Sequence, residues 1–160
     1  MLSKYYGLDD IDKQIIEILQ REPTLTHTLI AKKVHRSQPT VGNRIKKLED
    51  KGILTYNAGL SLKNIEVFCA KVELKTRNPV SVTKVVEQCP HMIYALELSG
   101  QNNFEILIIS EDMKDLDRIV NYHFRNDPNT KMIKMEIVMN IFNDLILPIG
   151  LAKNSCECTL

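Results

Sequence analysis

The stretch from Thr26 to Gly52, THTLIAKKVHRSQPTVGNRIKKLEDKG, constrains the fold more than any other part of the chain. Thr26 is placed to cap a short helix, its hydroxyl accepting a backbone N–H that has no partner inside the helix. Leu29, Ile30, Ala31 and Val34 then supply an apolar face, and His35 and Arg36 fall in a turn. Ser37 is a second N-cap, with Pro39 in the following first turn, where a missing N–H costs little. Val41, Ile45 and Leu48 recur at helical spacing and should face inward, and Gly52 ends the helix as a C′ glycine does. Two short helices about a tight turn, the second polar and basic at its start, is the layout of a helix-turn-helix. In that motif the second helix enters the DNA major groove.

An upstream helix completes a three-helix core. Asp9 or Asp10 starts it, Ile11, Ile15, Ile18 and Leu19 repeat along it, and Pro23 stops it. After Gly52 the segment ILTYNAGLSL mixes apolar and polar residues around Asn57 and Gly59, which predicts a short hairpin, a wing. Charge agrees. Residues 1–65 carry 11 Lys and Arg against 7 Asp and Glu, and residues 66–160 carry 10 against 13, so a net charge of +1 hides an asymmetric chain. Residues 32–51 alone hold 7 basic and 2 acidic residues. Such a segment can neutralise phosphates and release counterions. Lys32, Lys33 and Lys51 read equally well as solvated surface.

The second half has a different rhythm. Strand character runs from Val67 to Thr76, from Met92 to Leu98, from Phe104 to Ser110 and from Met132 to Phe142. Between them, Val82, Val85, Val86 and Cys89 repeat helically up to Pro90, as do Met113, Leu116, Ile119, Val120 and Phe124. The order β-α-β-β-α-β is the ferredoxin-like plan, a four-stranded sheet with two helices on one face. The other face is too apolar to sit in water, so a second copy of the sheet is expected to cover it, giving a dimer. A two-fold dimer also suits palindromic DNA half-sites. The expected class is α+β, with domains over 1–52 (helix-turn-helix), 53–65 (hairpin and linker), 66–145 (sheet domain) and 146–160 (tail).

Other classes find little support. No apolar run approaches the roughly 20 residues that span a bilayer, and the first ten residues lack the apolar core of a signal peptide. The chain is read as cytoplasmic. Cys69, Cys89, Cys156 and Cys158 match no zinc spacing in sequence, and His27, His35, His91 and His123 are scattered. Cys156-x-Cys158 offers two metal ligands, which alone make a poor site, so the tail from Pro148 to Leu160 is expected to be uninvolved. Tyr122 and His123 are expected at the surface or rim. No serine or cysteine stands with a plausible base, so no catalytic residue, metal or cofactor is assigned.

The two halves together resemble the Lrp/AsnC family, the feast/famine transcription regulators of bacteria and archaea. The likeness rests on Leu8-Asp9-x-Ile11-Asp12 and on Ser37-x-x-x-Val41-x-x-Arg44-Ile45-x-x-Leu48-Glu49-x-x-Gly52-Ile53-Leu54. In the second half it rests on the glycine-led turn within Gly100 to Ile106. The resemblance implies a homodimer, in places assembled into octamers, that binds promoter DNA, with an amino-acid effector near that turn. Carried over by position, Gly100, Gln101, Asn102 and Asn103 become effector-site candidates. Two departures stand out: His35-Arg36 where the family usually has glycine and an apolar residue, and Asn103 where an acidic residue is common.

For DNA, Asn43 and Arg44 are the expected base readers, with Gln38 and Thr40 near the helix start. Arg36, Lys46 and Lys47 are the expected phosphate contacts, with Ser37 at the cap. The alternative is a tetrapyrrole-processing enzyme, since siroheme decarboxylases resemble the same two-domain family; no His/Arg-rich cluster suits many propionates. RNA binding through the sheet is disfavoured because Phe104 to Ser110 lacks the aromatic and basic residues for base stacking.

Overall fold

The computed structural model describes residues 6–142, 145–147 and 156–159. The chain forms two compact units, Met1–Tyr56 and Asn57–Leu160.

In the first unit α1 spans Asp10–Arg21, α2 His27–Lys33 and α3 Gln38–Asp50. Each starts on the cap its sequence offers. Asp9 accepts from the Asp12 N–H at 2.8 Å while the Asp12 carboxylate takes the Asp9 N–H, a reciprocal capping box. Thr26 and Ser37 accept from the N–H groups of Leu29 and Thr40. The core joins Ile15, Leu19, Ile30, Ala31, Val34, Val41, Ile45 and Leu48, with Leu54 closing it from beyond α3. Leu29 stands outside it, 45% exposed.

Both α2 and α3 end in the same way. Past α2, Arg36 N–H reaches Ala31 O at 3.0 Å and His35 N–H reaches Lys32 O at 3.4 Å. Past α3, Ile53 N–H reaches Leu48 O at 2.9 Å and Gly52 N–H reaches Glu49 O at 2.8 Å. These are paired Schellman closures, each needing a left-handed residue. Gly52 supplies it at φ 64° and His35 at φ 52°. The turn of the helix-turn-helix is therefore built in the usual way, with a histidine in the glycine's place.

In the second unit β2 (Phe68–Thr76), β3 (Met92–Glu97), β4 (Phe104–Ser110) and β5 (Thr130–Ile137) form an antiparallel sheet in the order β3-β4-β2-β5. This is the ferredoxin-like arrangement expected. Helices α4 (Pro79–Gln88) and α5 (Met113–Val120) share the sheet's core with Ala70, Val72, Leu74, Phe104, Ile106 and Ile108. Alternation sends these strand residues to the helices and their neighbours to the other face. The chain after α5 continues as a π-helical turn, Asn121–Arg125, that buries Phe124.

Three expectations are corrected. The hairpin over 53–65 is absent. Instead β1 (Leu60–Ser61) pairs with β6 (Ile146–Leu147), joining two segments far apart in sequence. The last strand ends at Ile137, not Phe142, and Met139 and Phe142 are exposed. The uncovered sheet face is less apolar than expected. At one end Cys69 and Ile109 are covered, with Leu62, Leu145 and Leu147 in the same cluster. Elsewhere Lys71 lies 2.7 Å from Glu73 and 3.1 Å from Glu136, and Lys134 lies 2.8 Å from Glu136, a ladder of alternating charge across β2 and β5.

Candidate nucleic-acid interface and effector turn

Helix α3 divides sharply along its length. Val41, Ile45 and Leu48 are buried, whereas Ser37, Gln38, Thr40, Asn43, Lys46 and Lys47 are exposed, with Arg36 exposed in the turn before them. No acidic residue lies in its first turn, so the partial positive charge of the helix start is not neutralised locally. Ser37 and Thr40 share a hydroxyl–hydroxyl contact of 2.8 Å, which commits Ser37 to capping. Arg36 folds back, donating to His35 O at 2.9 Å. Gly42 faces the start of α2: a Cβ there would touch the exposed His27 ring at 3.4 Å, about van der Waals contact. Sequence reasoning passed over Gly42 because helix-interior glycine has no periodic signature.

Arg44 departs from its expected role. Its Nη1 lies 2.7 Å from Asp9 Oδ2 and 2.7 Å from Asp12 Oδ1, the two carboxylates of the α1 capping box. Those contacts hold the Asp9 carboxyl below the usual carboxylate range, chiefly through the Asp12 N–H and then Arg44. They also raise the guanidinium's own affinity for its proton. Arg44 thus ties α3 to the start of α1, a contact its expected base-reading role does not include. The motif could have shown this: Asp9, Asp12 and Arg44 are all among the residues that carried the family likeness.

The turn between β3 and β4 is also more structural than expected. Asn103 Oδ1 accepts from the Thr76 N–H at 2.8 Å and its Nδ2 donates to Thr76 O at 2.9 Å. This two-point clamp uses one donor and one acceptor of the amide to hold the backbone of β2 at Thr76. Asn102 Nδ2 donates to Glu73 Oε2 at 3.1 Å, while Asn102 Oδ1 is buried without a hydrogen-bond partner. Gly100 and Gln101 are exposed. Glu73 is the residue that sequence reasoning missed. It lies on β2, where only the folded sheet brings it to this turn, and Lys71 and Asn102 hold its carboxyl below the usual range.

Comparison with known proteins agrees with this architecture. Residues 8–55 match the family model for winged helix-turn-helix DNA-binding domains. The chain is 30% identical over 117 residues to the HTH-type transcriptional regulator LrpA of Pyrococcus horikoshii, covering 71% of this chain and 83% of that one. A transcriptional regulator of Neisseria meningitidis, solved in complex with L-Met, shares the fold with a TM-score of 0.77. The two are 23% identical, and the match covers 89% of this chain and 97% of that one. Escherichia coli AsnC gives a TM-score of 0.72 at 19% identity, covering 86% and 97%. The comparisons give no support to a tetrapyrrole enzyme. A capped helix-turn-helix, a ferredoxin-like second unit and a relative matched over most of its length converge: the chain belongs to the Lrp/AsnC family of helix-turn-helix transcriptional regulators.

Proposed function

We propose that two copies of this regulator place their α3 helices on the half-sites of a palindromic promoter sequence, and that an amino acid at the β3–β4 turn shifts the binding. The observation that carries the DNA reading is the exposed polar face of α3 opposite its buried Val41–Ile45–Leu48 stripe. Gln38 and Asn43 suit adenine N6/N7, and Thr40 suits several bases. Lys46, Lys47 and Arg36 suit phosphates, and Arg44 holds α3 to the start of α1 through Asp9 and Asp12. On a site selected from random sequence, Asn43→Ala should cost about 1–3 kcal/mol, and much less on unrelated DNA. Equal losses on both in fluorescence anisotropy would remove Asn43 from base reading.

Dimer formation is assigned to the sheet face away from α4 and α5. Tyr94 and Leu96 are exposed there, beside the ladder of Lys71, Glu73, Lys134 and Glu136. For the effector, the unpartnered Asn102 Oδ1 and the Glu73 carboxylate suit an ammonium, and exposed backbone around Gly100 suits a carboxylate. Glu73 thereby restores an acidic group to a turn that has Asn103 where the family commonly carries one. A thermal-shift screen of the standard amino acids tests this. The expected result is a shift abolished by Glu73→Gln. No shift with any of them identifies a regulator without such an effector.

A further inference from the structure

The second unit gathers a set of side chains that DNA reading does not use. Cys89 caps the end of α4, His123 lies in the π-helical turn after α5, and Cys156 and Cys158 flank Glu157 in the tail. One ligand atom from each, three sulfurs and an imidazole nitrogen, all lie within 4.8 Å of one another. Cys89 Sγ is 3.8 Å from Cys158 Sγ, and Cys156 Sγ is 3.3 Å from His123 Nε2. None of these three cysteines is in a disulfide. Residues 148–155 and 160 of the tail lie outside the described residues, but 156–159 do not: Cys158 is 3% exposed and belongs to the sheet's core cluster. The expectation of an uninvolved tail is corrected at that end.

We infer that Cys89, His123, Cys156 and Cys158 form a Cys3His site for a thiophilic divalent cation of the zinc class, which pins the tail to the two helices of the second unit. Three thiolates and one imidazole are an established donor set for tetrahedral zinc. A metal–sulfur bond of about 2.3 Å places two sulfurs of a tetrahedron about 3.8 Å apart, and a sulfur and a nitrogen slightly closer. The observed 3.8 and 3.3 Å separations already approach those edges.

The surroundings fit as well. Burial pushes the Cys89 thiol up, and the backbone N–H of His91, which points to that sulfur, opposes the rise as outer-shell donors do at metal sites. Cys89 and Cys158 are nearly sealed from solvent, so the site has the closed character of a structural metal. Tyr122 donates to Glu157 Oε2 at 3.1 Å, a second tie between the α5 extension and the tail. Binding balances simply: the cation displaces three thiol protons to solvent, the imidazole adds its lone pair, and the site carries one net negative charge. Apolar packing alone accounts for one buried cysteine, which behaves as a small hydrophobe. It gives no reason for three sulfurs and a ring nitrogen from three separate segments to turn onto one point.

The test uses the full chain, purified under reducing conditions, loaded with Zn2+ or Co2+ and desalted. About one metal per chain is expected by elemental analysis, and the Co2+ form should show the strong visible bands and thiolate charge transfer of a tetrahedral site. Cys69→Ser should change neither, since Cys69 sits in a different cluster with its thiol pushed up to about 11 by burial. Cys156→Ser with Cys158→Ser should abolish both signals, and His123→Asn should alter the cobalt spectrum. If the double variant does not fold, the wild-type titration still decides. Background metal in the reduced wild type, full metal in a folded double variant, or a Cys89–Cys158 disulfide found by mass spectrometry after loading overturns the inference.

Discussion

His35 is the costliest single choice in the DNA-binding unit. A left-handed backbone costs a residue with a Cβ roughly 1–2 kcal/mol, and glycine escapes that at the expense of a more disordered unfolded chain. His35→Gly should therefore stabilise the protein by about 0.5–1 kcal/mol in chemical denaturation. A decrease would mean that the imidazole makes a compensating contact, for instance with the bent-back Arg36. Arg44 invites the opposite experiment. Because its guanidinium sits on Asp9 and Asp12, Arg44→Ala should weaken binding to selected and random DNA by the same factor. Preferential loss on the selected site would return Arg44 to base reading. The pH dependence has a definite sign. Asp9 has a folded pKa below its unfolded value, so its contribution is present above the ordinary carboxylate range and fades as pH falls through the lowered value. Acid titration of Arg44→Ala should show a smaller loss over that window than the wild type.

Among the elements, those closed by local signals were the legible ones. The caps at Asp9, Thr26 and Ser37 and the strand Phe104–Ser110 stand where the sequence places them, because each depends on residues within one or two turns. The strand Thr130–Ile137 is shorter than its sequence suggests because Ile141 and Phe142 continue the apolar character after the last bond to β2, from Val138 N–H to Cys69 O. The β1–β6 pair and the Cys–His cluster were not legible at all. The first joins opposite ends of the second unit and the other gathers three separated segments of it, and no sequence period reports such contacts. The same holds for Glu73, which reaches the β3–β4 turn only through strand registry. Gly59 probes the distant pairing directly. A Cβ there would stand 2.5 Å from Leu147 O, so Gly59→Ala should separate β1 from β6. Faster hydrogen exchange at Leu62, whose N–H bonds Leu145 O at 3.0 Å, is the expected signature. Leu116→Ala, by contrast, opens a cavity beneath α5 and should cost about 2–5 kcal/mol in the second unit, read by its unfolding transition.

At the scale of the whole molecule, charge is divided between a basic DNA-reading half and an acidic remainder. Affinity should fall steeply with salt, and Lys47→Ala should reduce the slope of log affinity against log salt by about one. No helix among the described residues is long and apolar enough to cross a membrane. The charge ladder on the free sheet face carries its own pH sign. Its lysines hold Glu73 and Glu136 below the usual carboxylate range, so any support it gives a dimer is present at neutral pH and lost on acidification. Pairing β1 with β6 also fixes the slack in the chain that leaves the DNA-reading unit. With that pair closed, the path from Tyr56 to Leu60 can span at most roughly 14 Å; with it open, Tyr56 to Phe68 can reach roughly 40 Å. The two short strands act as a knot in a leash. On the palindromic site proposed above, a short leash should allow little variation in the distance between half-sites, and Gly59→Ala, by letting the leash out, should extend binding to operators of altered spacing.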